Sequence, residues 1–111
     1  MAYPIDRAHY RILYPLNERP SLRTGDDAYE VIDCSEGGLR YALGDGPSPE
    51  VGTELRGTIS FRTGDDCEVS GNVVRVQAGG VAVRLIGAGI PLAIILEEQR
   101  YLRRNYPMRE G

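Results

Sequence analysis

Cys67-Glu68-Val69-Ser70-Gly71-Asn72-Val73-Val74-Arg75-Val76, then Gln77-Ala78-Gly79-Gly80, then Val81-Ala82-Val83-Arg84-Leu85-Ile86: this stretch sets the fold class. Val69, Gly71, Val73 and Arg75 alternate with Ser70, Asn72, Val74 and Val76, and Val81, Val83 and Leu85 repeat at period two. Successive side chains of a strand point to opposite faces, so both runs read as half-buried strands joined by a short glycine link. Upstream, residues 54–62 form a longer strand candidate that leads into this stretch through Thr63-Gly64-Asp65-Asp66. Residues 28–33 and 38–43 are shorter runs around a glycine turn. Alternating runs with turns every 8 to 12 residues or so predict an antiparallel sandwich or small barrel.

Arg23-Thr24-Gly25-Asp26-Asp27 recurs as Arg62-Thr63-Gly64-Asp65-Asp66. Both read as hairpin turns in which glycine supplies the positive φ. The two carboxylate pairs they carry are expected at solvated hairpin tips. Residues 91–105 change period: Leu92, Ile95, Leu96, Gln99 and Leu102 fall near one helical face. Pro91 suits a first turn, Glu97 and Glu98 precede Arg100, Arg103 and Arg104, and Pro107 stops the helix. The first twenty residues carry Pro4, Pro15 and Pro20 with no clean period, and read as an extended arm or short turn before the barrel.

The chain has 111 residues, 41% apolar and 26% charged, which sizes it as one soluble domain with one modest core. No apolar run approaches a membrane span; residues 90–96 are too short. The first residues, Met1 to Asp6, lack a charged region followed by an apolar one, so no signal peptide is read and a cytoplasmic location is expected. Cys34 and Cys67 are the only cysteines and His9 the only histidine, so two reduced, largely buried thiols are expected and no metal site. A net charge of −3 argues against a bulk nucleic-acid binder. All 13 basic residues are arginine. Guanidinium is planar and forked, and suits bidentate pairing with phosphates and guanine edges.

Catalysis has little to work with. His9 would have to serve any triad, and no nucleophile elbow, P-loop or zinc-protease signature is present. Two short motifs remain. Arg7-Ala8-His9-Tyr10-Arg11 is an Arg-x-x-x-Arg, and so are Arg19/Arg23 and Arg100/Arg104, so alone it says little. Asp33-Cys34-Ser35-Glu36-Gly37-Gly38 is a rarer Asp-x-Ser-x-x-Gly. By itself it also reads as a strand-ending turn, with Asp and Ser bonding nearby backbone and Gly38 supplying positive φ.

The order of the two motifs, an arginine pair in an arm and then a strand ending in Asp-x-Ser-x-x-Gly before a barrel and a terminal helix, resembles the PilZ family. The resemblance runs from Arg7 to about Asn105. It implies a mainly β fold: a six-stranded antiparallel PilZ-like β-barrel with a C-terminal α-helix and a flexible N-terminal arm. The arm is read as residues 1–20 and the barrel and helix as residues 21–111, one domain overall. It also implies a regulator rather than an enzyme, without cofactor, whose ligand is the bacterial messenger cyclic di-GMP and whose output passes to an effector protein. The resemblance carries ligand roles onto Arg7, Arg11, Asp33, Ser35 and Gly38. Arg75 on the barrel strand and Arg40 just past Gly38 are additional candidates, Arg75 by stacking on a base. Many family members carry a further arginine before the first motif arginine; here Asp6 stands there, which disfavours a second stacked ligand. The alternative reading is a PilZ-like adaptor that binds no cyclic di-GMP, as in type IV pilus assembly.

Overall fold

The alternation in residues 67–86 builds a β-hairpin in the computed structural model, which describes residues 11–106. The described elements are β1 (Ile12–Leu13), β2 (Ser21–Thr24), β3 (Asp27–Ser35), β4 (Gly38–Ala42), β5 (Glu54–Ser60), β6 (Asp66–Gln77), β7 (Gly80–Leu85) and α1 (Leu92–Asn105). All pairings are antiparallel. The strand order is β1-β3-β2-β5-β6-β7-β4, and β4 also pairs with β3. That last pairing closes a six-stranded barrel, with β1 attached to β3 as an extra strand.

Three hairpins obey their turn residues. Gly25, with φ +63°, lies between β2 and β3, and Gly64, with φ +103°, lies between β5 and β6, so both copies of the repeated pentapeptide turn as read. The β6–β7 turn uses Ala78 (φ +52°) and Gly79 (φ +80°) between the paired Gln77 and Gly80. Two successive positive φ values match the twist of the flanking strands.

The barrel interior is filled by Leu22, Val31, Cys34, Leu39, Tyr41, Ile59, Val69, Val73, Val81 and Val83, all buried. Burial pushes the Cys34 thiol up to about 12, so it stays protonated and packs as a small apolar group. Ile90, Ile95 and Leu102 extend the core under α1.

The arm is expected over residues 1–20; residues 1–10 lie outside the described residues, and residues 11–20 supply β1, the extra strand on β3, and a short helical turn at Leu16–Glu18. Ile12 and Tyr14 are buried while Leu13 is exposed, the alternation of a strand docked on β3. Two inward side chains are too short a pattern to register as a period. The helix buries Ile95 and Leu102 of its expected face, with Glu98 between them, while Leu92 is exposed. Glu98, expected only to match the helix dipole, is fully buried. It accepts hydrogen bonds from the Tyr14 hydroxyl at 2.5 Å and the Thr63 backbone N–H at 3.0 Å. A buried carboxyl group is tolerated only with such partners. A second acid ties down the same helix: Glu18 accepts from Arg62 at 2.9 Å, Tyr106 at 2.6 Å and Tyr101 at 3.2 Å.

Candidate functional site

Two β-bulges decide what the barrel shows to solvent. In β3 the register shifts between Val31 and Asp33, and in β6 between Val73 and Arg75. Each inserts an extra residue, Ile32 or Val74, and a bulge re-aims the side chains that follow it. Uninterrupted alternation would put Asp33 on the core side with Val31, and Arg75 on the core side with Val73. Instead Cys34 and Val76 turn inward, and Asp33 and Arg75 face out. The alternation sets Arg75 in phase with Val73 and does not show this half-step, because the extra residue is a valine and not a glycine or proline.

The cross-strand register then assembles a row. Asp33 pairs with Arg40, Arg40 with Ala82, and Ala82 with Arg75, across β3, β4, β7 and β6. The next row on β4 and β7 pairs Gly38 with Arg84. Gly38 and Ala82 are the small residues of this surface, and they floor a groove of about 430 Å³. That volume is in the range of small-molecule sites. Arg11, Asp33, Arg40, Arg75 and Arg84 stand around it, with Val74 beside Arg75.

Asp33 is the hub. Its side chain is only 5% exposed, and each carboxylate oxygen holds one guanidinium. Arg11 donates to Oδ1 at 2.9 Å, and Arg40 reaches Oδ2 through Nε at 2.9 Å and Nη2 at 2.7 Å. Arg11 and Arg40 remain about half exposed, so both keep donors free toward the groove. Arg11 is brought there because β1 runs antiparallel to β3, with Leu13 opposite Asp33. The side chains of Arg75 and Arg84 make no ion pair or hydrogen bond among the described residues. Four arginines thus face one acid on a protein whose net charge is −3.

Of the residues singled out from the sequence, Arg11, Asp33, Gly38, Arg40 and Arg75 all line this groove. Arg7 lies outside the described residues. Ser35 is buried at the end of β3, where it pairs with Gly38, and is not part of the groove lining. Gly38 is not at positive φ, the alternative its turn position offered. A Cβ there would lie 3.2 Å from the Val83 carbonyl oxygen in the β4–β7 ladder, a tight contact that glycine avoids. Arg84 was missed. Its outward face was readable from Val83 and Leu85, but its neighbourhood depends on β4 pairing with β7, which local sequence does not reveal.

The chain is therefore a small closed β-barrel with an arginine-lined surface groove beside the strand β1. The PilZ domain profile matches residues 5–103, and the chain belongs to the PilZ domain family, whose members are binding and adaptor domains. Among solved structures it is similar to the Bacillus subtilis inhibitor of motility (MotI/DgrA), with a TM-score of 0.64 and 16% identity. The likeness covers 90% of this chain and 50% of that one, so the chain spans half the length of that structure. No curated protein sequence matches it.

Proposed function

We propose that this chain is a cyclic di-GMP receptor that passes the signal to a partner protein. The observation that carries the reading is the groove itself: Arg11, Arg40, Arg75 and Arg84 around one carboxylate that already holds two of them in place. Cyclic di-GMP offers two phosphates and two guanines. A guanidinium fork pairs with a phosphate, or with guanine O6 and N7, and adenine presents a donor where guanine has O6. Asp33 positions Arg11 and Arg40, and its remaining lone pairs suit guanine N–H donors. Arg7 is proposed to close with Arg11 over the ligand, and Ser35 to support the Asp33 turn or reach the ligand when the arm orders.

Transmission follows the same segment. Arg11 touches the groove, and three residues on Tyr14 touches Glu98 of α1. Ligand that orders the arm therefore acts on a strand already tied to the helix, and a partner sensitive to that surface reads the change. A cytoplasmic receptor acting on motility, surface attachment or exopolysaccharide synthesis is the pathway class proposed; the name of the motility inhibitor with the same fold favours motility among these.

Isothermal calorimetry tests the reading. The protein is expected to bind one cyclic di-GMP per chain and to prefer it to GTP, GMP and cyclic di-AMP. No heat, together with no amide shift in NMR up to about 100 μM ligand, which corresponds to under roughly 5.5 kcal/mol, sinks it and leaves the adaptor reading.

A further inference from the structure

The groove holds its cations in two different states. Arg11 and Arg40 share the one Asp33 carboxylate and are oriented by it, whereas the side chains of Arg75 and Arg84 form no ion pair with any carboxylate among the described residues. A cation beside Gly38 and Ala82 has small residues next to it, and the one acid among the groove residues, Asp33, is already paired with Arg11 and Arg40. Arg84 sits in register with Gly38 on one side and Asn72 on the other, so its position is fixed by two ladders rather than by a loop. Arg75 stands one row away, opposite Ala82. Two like charges on neighbouring rows of one sheet repel, and an anion between them removes that cost.

We propose that Arg84, with Arg75, forms a second anion position in the groove, separate from the Asp33-anchored pair, and that the ligand is bound through two phosphates rather than one. This rests on reading the groove as a cyclic di-GMP site. Arg84 belongs to neither sequence motif; it reaches the site through the β4–β7 pairing alone. The two positions divide the work. Arg11 and Arg40 are preorganised and lose little freedom on binding. Arg84 and Arg75 supply uncompensated charge, so their contribution is more sensitive to salt.

The test uses the whole chain. Cyclic di-GMP titrations are compared for the wild type, Arg84→Ala, Arg84→Lys, and Arg56→Ala, a residue outside this groove. Arg84→Ala is expected to weaken binding about tenfold or more and to flatten its dependence on salt; Arg84→Lys keeps part of the affinity; Arg56→Ala changes nothing. Wild-type binding with Arg84→Ala within about twofold of it overturns the second position while leaving the receptor reading intact. If the wild type binds no cyclic di-GMP, the receptor reading is what fails. The anion position is then judged with inorganic pyrophosphate, by NMR of the arginine Nε–H groups. Pyrophosphate shifts at both Arg84 and Arg75 in the wild type, with the Arg75 shift lost in Arg84→Ala, support it, and an absence of shifts, or an Arg75 shift unchanged in Arg84→Ala, overturns it.

Discussion

Asp33 and Tyr14 show how single side chains hold this molecule in a usable state. Asp33 is almost out of water, a position no carboxylate takes without compensation, and Arg11 and Arg40 provide it. Removing it frees both arginines. Asp33→Ala and Arg11→Ala are each expected to weaken cyclic di-GMP binding about tenfold or more, since hydrogen bonds to charged groups contribute roughly 1.5–3 kcal/mol. Arg100→Ala, on the exposed side of α1, serves as the comparison; calorimetry in which it costs as much as Arg11→Ala would show the groove is not the site. Tyr14 has a different role. Burial in the core, with the Cys34 and Glu98 groups beside it, pushes its hydroxyl far above the ordinary tyrosine range, so it acts only as a neutral donor. Tyr14→Phe leaves Glu98 with only its Thr63 bond and is expected to cost about 1–3 kcal/mol in urea denaturation. An unchanged midpoint would mean the buried carboxyl group finds another donor.

Among the elements, the β6–β7 hairpin carries the most constraint. Its turn asks Ala78 to sit at φ +52°, where a Cβ is strained. Ala78→Asn keeps the turn and relieves the strain, so a gain of roughly 0.5–1 kcal/mol is expected. A loss in thermal or chemical denaturation would show that Ala78 packs in a way asparagine disturbs. Gly71 lies farther down the same pair of strands. A Cβ there would come within 2.3 Å of the Arg84 carbonyl oxygen and 2.8 Å of Val83 Cγ1. Gly71→Ala must push β6 from β7, and is expected to cost about 1–3 kcal/mol. It should also misplace Arg84, so binding falls with stability. Retention of full affinity in a destabilised Gly71→Ala protein would detach Arg84 from the site.

At the scale of the whole molecule, α1 is tied to the rest of the fold by two buried acids, Glu98 and Glu18. The Tyr106 hydroxyl, together with Arg62 and Tyr101, holds the Glu18 carboxyl below its ordinary 4.5, against the opposing pull of burial. A depressed folded value means the contribution is complete above about the ordinary value and is lost as pH falls through the folded one. Stability should therefore hold from neutral pH down to about 4.5 and decline below it through this group. Glu18→Gln removes the titration, so the difference in denaturation midpoint between wild type and variant should shrink from pH 7 to pH 3. An equal difference at both ends would contradict it.

Local pattern was enough for a good deal of this protein. Alternation in residues 67–86, glycines at Gly25, Gly64 and Gly79, and the change of period after Pro91 specify short antiparallel strands, their turns and a terminal helix, because strand and helix periods and turn φ values are properties of neighbouring residues. Asp33, Gly38 and Arg11 were also legible, through the order of two motifs. What only the tertiary structure decided is which face those residues occupy and what stands next to them. A bulge shifts side chains by half a period without a mark in the composition, so Asp33 and Arg75 moved from the core side to the groove side only when β3 met β4 and β6 met β7. Arg84 became a neighbour of Gly38 by the β4–β7 pairing, and Glu98 became a buried residue by the docking of α1 over Tyr14 and Thr63. These are contacts between segments far apart in sequence. Their free energy belongs to the packed barrel, not to any stretch of chain that could be read alone.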